Sequence, residues 1–203
     1  MPLRKLCWKV WLEATAAVAV LLGREHRAAA IYERIVVAFP RDELALSTVG
    51  NLRMELGEPG VAIRAFEDLV SVNPRNAAAW FNLGYIHDRL LASSAAERCF
   101  RTALDLDPKL DRAWYGLGLV LIRQQRLAEA ARALERNTEL QPFSPYGWFQ
   151  LAMTQHHLGR SDEAWRIHAR LRRFEPRYAA TLKRDLERAR ARATRGDEEH
   201  ACN

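Results

Sequence analysis

Five prolines recur at one interval along this chain: Pro40, Pro74, Pro108, Pro142 and Pro176. The spacing is about 34 residues each time, and a fixed period of that size marks a stack of repeated units rather than a fold with one central core. Other positions keep the same beat. The slot of Trp80 holds Leu12, Leu46, Trp114 and Trp148, and that of Gly84 holds Ala16, Gly50, Gly118 and Ala152. Alanine fills one slot throughout, at Ala28, Ala62, Ala96, Ala130 and Ala164. The slot of Phe100 holds Tyr32, Phe66, Leu134 and His168.

The stretch from Asn76 to Pro108 shows what the unit is. Trp80, Leu83, Gly84 and His87 recur at helical spacing, as do Ala96, Phe100 and Ala103, so the unit reads as two amphipathic helices. Asn76 is a good N-cap for the first, and Pro108 cannot continue the second. Gly84 and Ala96 are small where two helices of one hairpin approach closely, and Trp80 supplies bulk between neighbouring hairpins. Gly23, Gly57 and Gly159 suit a left-handed cap in the turn within each hairpin, whereas Leu91 and Gln125 depart from glycine in that slot. Further N-caps are expected at Asp42 and Ser144, with Leu110 the exception. Pro59 and Pro145 suit a first helical position. Asn137 stands where a small apolar residue is usual.

The order tryptophan, x, x, leucine, glycine, then alanine, phenylalanine, alanine and proline resembles the tetratricopeptide-repeat (TPR) family. Trp80, Leu83, Gly84, Ala96, Phe100, Ala103 and Pro108 match best; Trp114, Leu117, Gly118, Ala130 and Pro142 follow closely. The resemblance implies an all-α fold: a right-handed superhelical solenoid of five helix-turn-helix hairpins over residues 9–176, with a C-terminal capping helix. The repeats fall at about 9–42, 43–76, 77–110, 111–144 and 145–176. Residues 1–8 are a basic, aromatic lead, 177–195 a basic capping helix with Tyr178, Leu182 and Leu186 on its apolar face, and 196–203 a disordered tail.

In that family the first helix of each hairpin lines a concave groove that takes extended peptides or partner helices. The resemblance therefore implies a non-catalytic protein-binding scaffold. Its groove-facing candidates are Ser47, Asn51, Met54 and Glu55 in repeat two, and Ala78, Phe81, Asn82, Tyr85, Asp88 and Arg89 in repeat three. Repeat four gives Arg112, Tyr115, Leu119, Ile122 and Arg123, and repeat five gives Tyr146, Phe149, Gln150, Met153, His156 and His157. Phe81, Tyr115 and Phe149 supply one aromatic per repeat, and aromatics combine large apolar area with few rotatable bonds. Co-chaperone members grip a C-terminal carboxylate with lysine, two asparagines, lysine and arginine. Asn51, Asn82 and Arg112 match three of those places, but Ser47 and Gly116 replace two of the cations, so a full clamp is not expected.

Lysine plus arginine number 31 against 25 for aspartate plus glutamate, and the excess gathers late, from Arg166 to Arg195. No nucleic-acid module accompanies that charge, so nucleic acid and membrane are not the expected partners. Other readings are a non-catalytic partner of an enzyme such as a glycosyltransferase, a basic adaptor for nucleic acid or anionic membrane through the C-terminal helix, and self-assembly. Cys7, Cys99 and Cys202 are far apart, with no disulfide framework or zinc spacing, which suits a reducing, cytoplasmic setting. Val10 to Leu22 faintly resembles a targeting segment, but the repeat register assigns it to the first helix of repeat one. No cofactor or metal is expected: His156 and His157 are adjacent and diverge on a helix, and no phosphate loop, nucleophile elbow or buried carboxylate pair is present.

Overall fold

A computed structural model of the chain describes residues 3–201, with the side chains of 4–191. Among the described residues all regular structure is helical. Two compact units divide between Asp107 and Pro108. The first holds α1 (Leu3–Leu21), α2 (Glu25–Ala38), α3 (Glu43–Glu55), α4 (Pro59–Val72), α5 (Ala77–Arg89) and α6 (Ser93–Leu106). The second holds α7 (Asp111–Arg123), α8 (Leu127–Leu140), α9 (Pro145–His157), α10 (Ser161–Leu171) and α11 (Pro176–Ala201). Within the first unit α1 packs on α2, α2 on α3, α3 on α4, α4 on α5 and α5 on α6; within the second α7 packs on α8, α8 on α9, α9 on α10, and α11 on both α9 and α10.

The periodic residues explain the hairpins. The five slot alanines, Ala28, Ala62, Ala96, Ala130 and Ala164, are each fully buried. A methyl group added at Gly50 would lie 2.5 Å from the Phe66 ring, one at Gly84 2.9 Å from Phe100, and one at Gly118 2.7 Å from Leu134. Glycine in the first helix is thus the seat for the large residue of the second. Every turn within a hairpin closes the same way. The amide of Arg24 donates to Ala19, Glu58 to Arg53, Ala92 to His87, Arg126 to Leu121 and Arg160 to Gln155, each across the residue that takes the left-handed conformation. Leu91 (φ 59°) and Gln125 (φ 60°) adopt it as fully as Gly23, Gly57 and Gly159. The hydrogen bonding of the turn therefore overrides the side chain's preference, at a conformational cost of about 1–2 kcal/mol.

Tryptophan does more than fill space. The indole N–H of Trp80 donates to the carbonyl of Pro74 at 2.9 Å, and Trp114 and Trp148 repeat the bond with Pro108 and Pro142 at the same distance. Proline ends one helix, and the next helix's tryptophan bonds the carbonyl left free there. Leu12 and Leu46 hold the same slot without that bond.

Several local expectations change. Asp42 and Asn76 cap their helices, each accepting from the amide three residues on at 3.0 Å. Ser144 makes no side-chain capping bond, although its backbone is extended as a cap requires; Pro145 already removes one free amide there. The lead is helical from Leu3, because Trp8 packs on Phe39 (6.5 Å between rings) and Lys9 pairs with Asp42, which extends α1 toward its own N-terminus. The C-terminal helix buries Ala179, Leu182 and Leu186 and is helical to Ala201. The tail expected at 196–203 falls on side chains, and at Cys202 and Asn203 on whole residues, outside the described ones. No described helix is long and apolar enough to cross a membrane.

Candidate ligand-binding face

In the second unit, first helices and capping helix build an aromatic basin. Tyr115 of α7 and Tyr146, Phe149 and Gln150 of α9 meet Arg177, Tyr178 and Thr181 of α11 around about 320 Å³ of open space. The 3.6-residue turn explains the set: Tyr146, Phe149 and Gln150 fall on one side of α9, while Trp148, Leu151 and Ala152 are buried on the other. Tyr146 and Tyr178 meet edge to face at 5.5 Å, the arrangement that the ring quadrupole favours. A hydrogen bond with Tyr146 raises the Tyr178 phenol pKa, as does desolvation. Burial raises that of Tyr115, opposed by its hydrogen bond with Gln150. Both phenols hold their protons at neutral pH and remain donors set in an apolar wall.

Of the residues expected from the sequence in this unit, Tyr115, Tyr146, Phe149 and Gln150 line the basin; Tyr115 and Phe149 also rest on the buried cluster beneath. Met153 packs on that cluster outside the lining. His156 sits at the α9–α10 turn, where its Nδ1 lies 3.3 Å from the Ser161 hydroxyl. Burial, and then the neighbouring His157, push its pKa down. Arg112 and Arg123 of α7 are exposed. Arg177, Tyr178 and Thr181 were not foreseen. They belong to a helix read as a lid for the stack, and its first turn also forms a wall of the basin. Tyr178 was visible as the aromatic at the head of that helix, assigned there to packing.

In the first unit, Phe81 is half-buried, its ring 5.9 Å from Phe100 and 6.5 Å from Tyr85 in a near-parallel stack. It props the hairpin as much as it faces outward. Tyr85 is 41% exposed, and Arg89 donates to its hydroxyl at 3.3 Å. Asn51 is exposed, Asn82 half-buried, and Met54 packs on the buried cluster.

A larger polar depression of about 630 Å³ lies along Glu135, Gln155 and Arg160 in the second unit. Its buried member, Gln155, donates to Glu135 at 3.2 Å and accepts from Arg160 at 3.3 Å, so the polar groups there satisfy one another. Cys99 is buried, and burial raises its thiol pKa, which suits a core residue rather than a nucleophile. Among the described residues no three histidine, cysteine, aspartate or glutamate side chains converge to hold a metal ion.

The tetratricopeptide-repeat family model matches residues 50–90 and 93–145. Over those residues the chain is built of tetratricopeptide repeats. Its fold is the all-helical solenoid of that family. A crystal structure of MamA superposes with a TM-score of 0.77 at 22% identity, covering 85% of this chain and 94% of that one. MamA 41-end from Desulfovibrio magneticus RS-1 gives 0.74 at 16% identity, covering 87% and 96%. YrrB, described as a TPR protein with an unusual peptide-binding site, gives 0.72 at 18% identity, covering 85% and 90%. At these identities the likeness is one of fold. No curated protein matches the sequence.

Proposed function

We propose that this chain is a non-catalytic scaffold that binds an extended segment or helix of another protein along the first helices of its hairpins. The observation that carries this reading is the basin of Tyr115, Tyr146, Phe149 and Tyr178. It presents several aromatic faces with phenol hydroxyls at one open site, with Arg177 at its edge. Aromatic anchors in partly desolvated pockets dominate protein interfaces, and truncating one commonly costs about 2 kcal/mol or more. Aromatic faces and phenol hydroxyls gathered at one open site suit recognition of a partner chain. That YrrB is described as having a peptide-binding site supports the same class of ligand.

The test is selection of a displayed random-peptide library on the full chain, followed by affinity measurement for the enriched peptides. Tyr115→Ala combined with Phe149→Ala is expected to weaken binding at least about 30-fold, the equivalent of one anchor lost. Undiminished binding to a variant shown by circular dichroism to be folded would overturn the assignment. If binding instead fell steeply with salt and tracked the exposed Arg184, Arg188 and Arg190 of α11, the basic helix would be the site.

A further inference from the structure

We propose that the basin of the second unit takes a proline-rich segment in the polyproline II form, with an acidic residue seated against Arg177. This rests on the scaffold reading above and names the chemistry of the chain held there. Hydrogen bonding within the wall leaves mostly donors for a ligand. A bond that lowers a phenol's pKa is accepted by its oxygen, and one that raises it is donated by its proton. Against the effect of burial, the bond with Gln150 lowers the Tyr115 pKa, so the amide donates and the Tyr115 proton stays available. The bond with Tyr146 raises the Tyr178 pKa, so Tyr178 donates and the Tyr146 proton stays available. The Thr181 hydroxyl is already engaged: it donates to the Arg177 carbonyl and accepts from Arg184, both at 3.3 Å. Among the described residues no carboxylate pairs with the Arg177 guanidinium. The lining thus presents two phenol protons and a guanidinium against one side-chain carbonyl, that of Gln150.

That imbalance selects the occupant. An ordinary extended peptide brings as many N–H donors as carbonyls, and its donors would find few acceptors in this wall. Proline has a carbonyl and no N–H. A proline run therefore brings acceptors alone, is extended before it binds, and lays its rings on aromatic faces. Aromatic faces by themselves would suit a cation equally well. Arg177, exposed in the first turn of α11, repels a cation and attracts a carboxylate.

The experiment is isothermal titration calorimetry of the full chain with synthetic peptides, acetylated and amidated so that their ends are neutral. The probe is a proline run followed by paired glutamates. Its controls carry alanine for proline, or lysine for glutamate. The probe is expected to bind at least about tenfold more tightly than either control. Tyr146→Phe, which keeps the ring and removes the proton, is expected to weaken it about three- to tenfold. Arg177→Glu places an acid at a helix start, where it is favourable, and is expected to reverse the preference between the glutamate and lysine peptides. Equal binding of the proline and alanine peptides overturns the proposal, as does an affinity unmoved by Tyr146→Phe. A preference unmoved by Arg177→Glu overturns the seat of the acidic residue. If the proline probe fails while library-selected peptides bind and depend on Tyr115 and Phe149, the scaffold reading stands and this inference falls. If library selection also yields no binder, both fall.

Discussion

In the α5–α6 hairpin, Gly84 lies beneath Phe100, and the ring is almost completely buried. In the α9–α10 hairpin the same two slots hold Ala152 and His168. Ala152 is fully buried, and His168 is only half-buried, set edge-on against Trp165 at 5.3 Å. The extra methyl group at Ala152 takes the room that a buried ring would need. Ile167 and Leu171 supply the buried bulk of α10 instead. A second exchange lies close by. Asn137 of α8 is 5% exposed and donates to the Asp111 carbonyl at 2.9 Å. Its Oδ1 occupies the place where the first carbon of a side chain at Gly147 would stand. Leu69 and Ala79 hold the two equivalent slots in the first unit, and both are buried. The repeat thus conserves filled volume across a contact rather than residue type at each position.

The comparison can be broken most sharply at its two ring slots. Phe100→Ala is expected to cost about 3–5 kcal/mol, the range for emptying a buried aromatic site. His168→Ala is expected to cost far less, because much of its ring already faces solvent. Urea denaturation of each variant against the parent measures the contrast, and equal losses would refute the account of the two slots.

Next in size is Gly147→Ala, expected to cost about 1–3 kcal/mol through overpacking against Asn137. Asn137→Ala removes the obstruction together with its bond to Asp111. The double variant should then be more stable than the sum of the single losses, with a coupling of about 1 kcal/mol in a double-mutant cycle. Simple additivity would show that the two residues do not share the space.

Leu91→Gly is expected to stabilise the first unit by about 1 kcal/mol. It relieves the left-handed strain at an exposed turn position, less the greater freedom of glycine in the unfolded chain. Thermal melting is the measurement, and a lower Tm would show that the Leu91 side chain contributes contacts that outweigh the strain.

The smallest effect is on pH. Burial, then Arg172 and Lys183, push the His168 pKa below the ordinary histidine value, with Glu187 opposing them. Burial and His157 lower that of His156. The unfolded chain takes up these protons first as pH falls below about 6.5, so stability declines from there toward the lower folded pKa values. Tm measured from about pH 7.5 down to about pH 5 should fall, and His168→Gln should flatten the slope. An unchanged slope would place the titration elsewhere.

Much of the fold was legible in the residues. The proline and alanine beats marked the hairpins, and Asp42 and Asn76 announced two caps that the structure bears out. The aromatic wall was half legible: Tyr115, Tyr146 and Phe149 come from the repeat pattern, but Arg177, Tyr178 and Thr181 join it only because α11 packs against α9. No periodicity reports that contact. The Ser144 cap failed because a preferred residue type does not ensure that its hydroxyl turns inward. Trp80, Trp114 and Trp148 were read as bulk, since a chain pattern does not show which carbonyl an indole will meet.

The sequence by itself determined the kind of protein: apolar residues at helical spacing, repeated at a fixed interval, can bury themselves only by stacking hairpin on hairpin. Tertiary structure alone decided how each contact is filled. Whether Asn137 is tolerated depends on Gly147, which lies on the next helix. Whether Tyr178 lines a basin or merely seals a core depends on where α11 docks. Both are set by three-dimensional volume, and no local propensity encodes that.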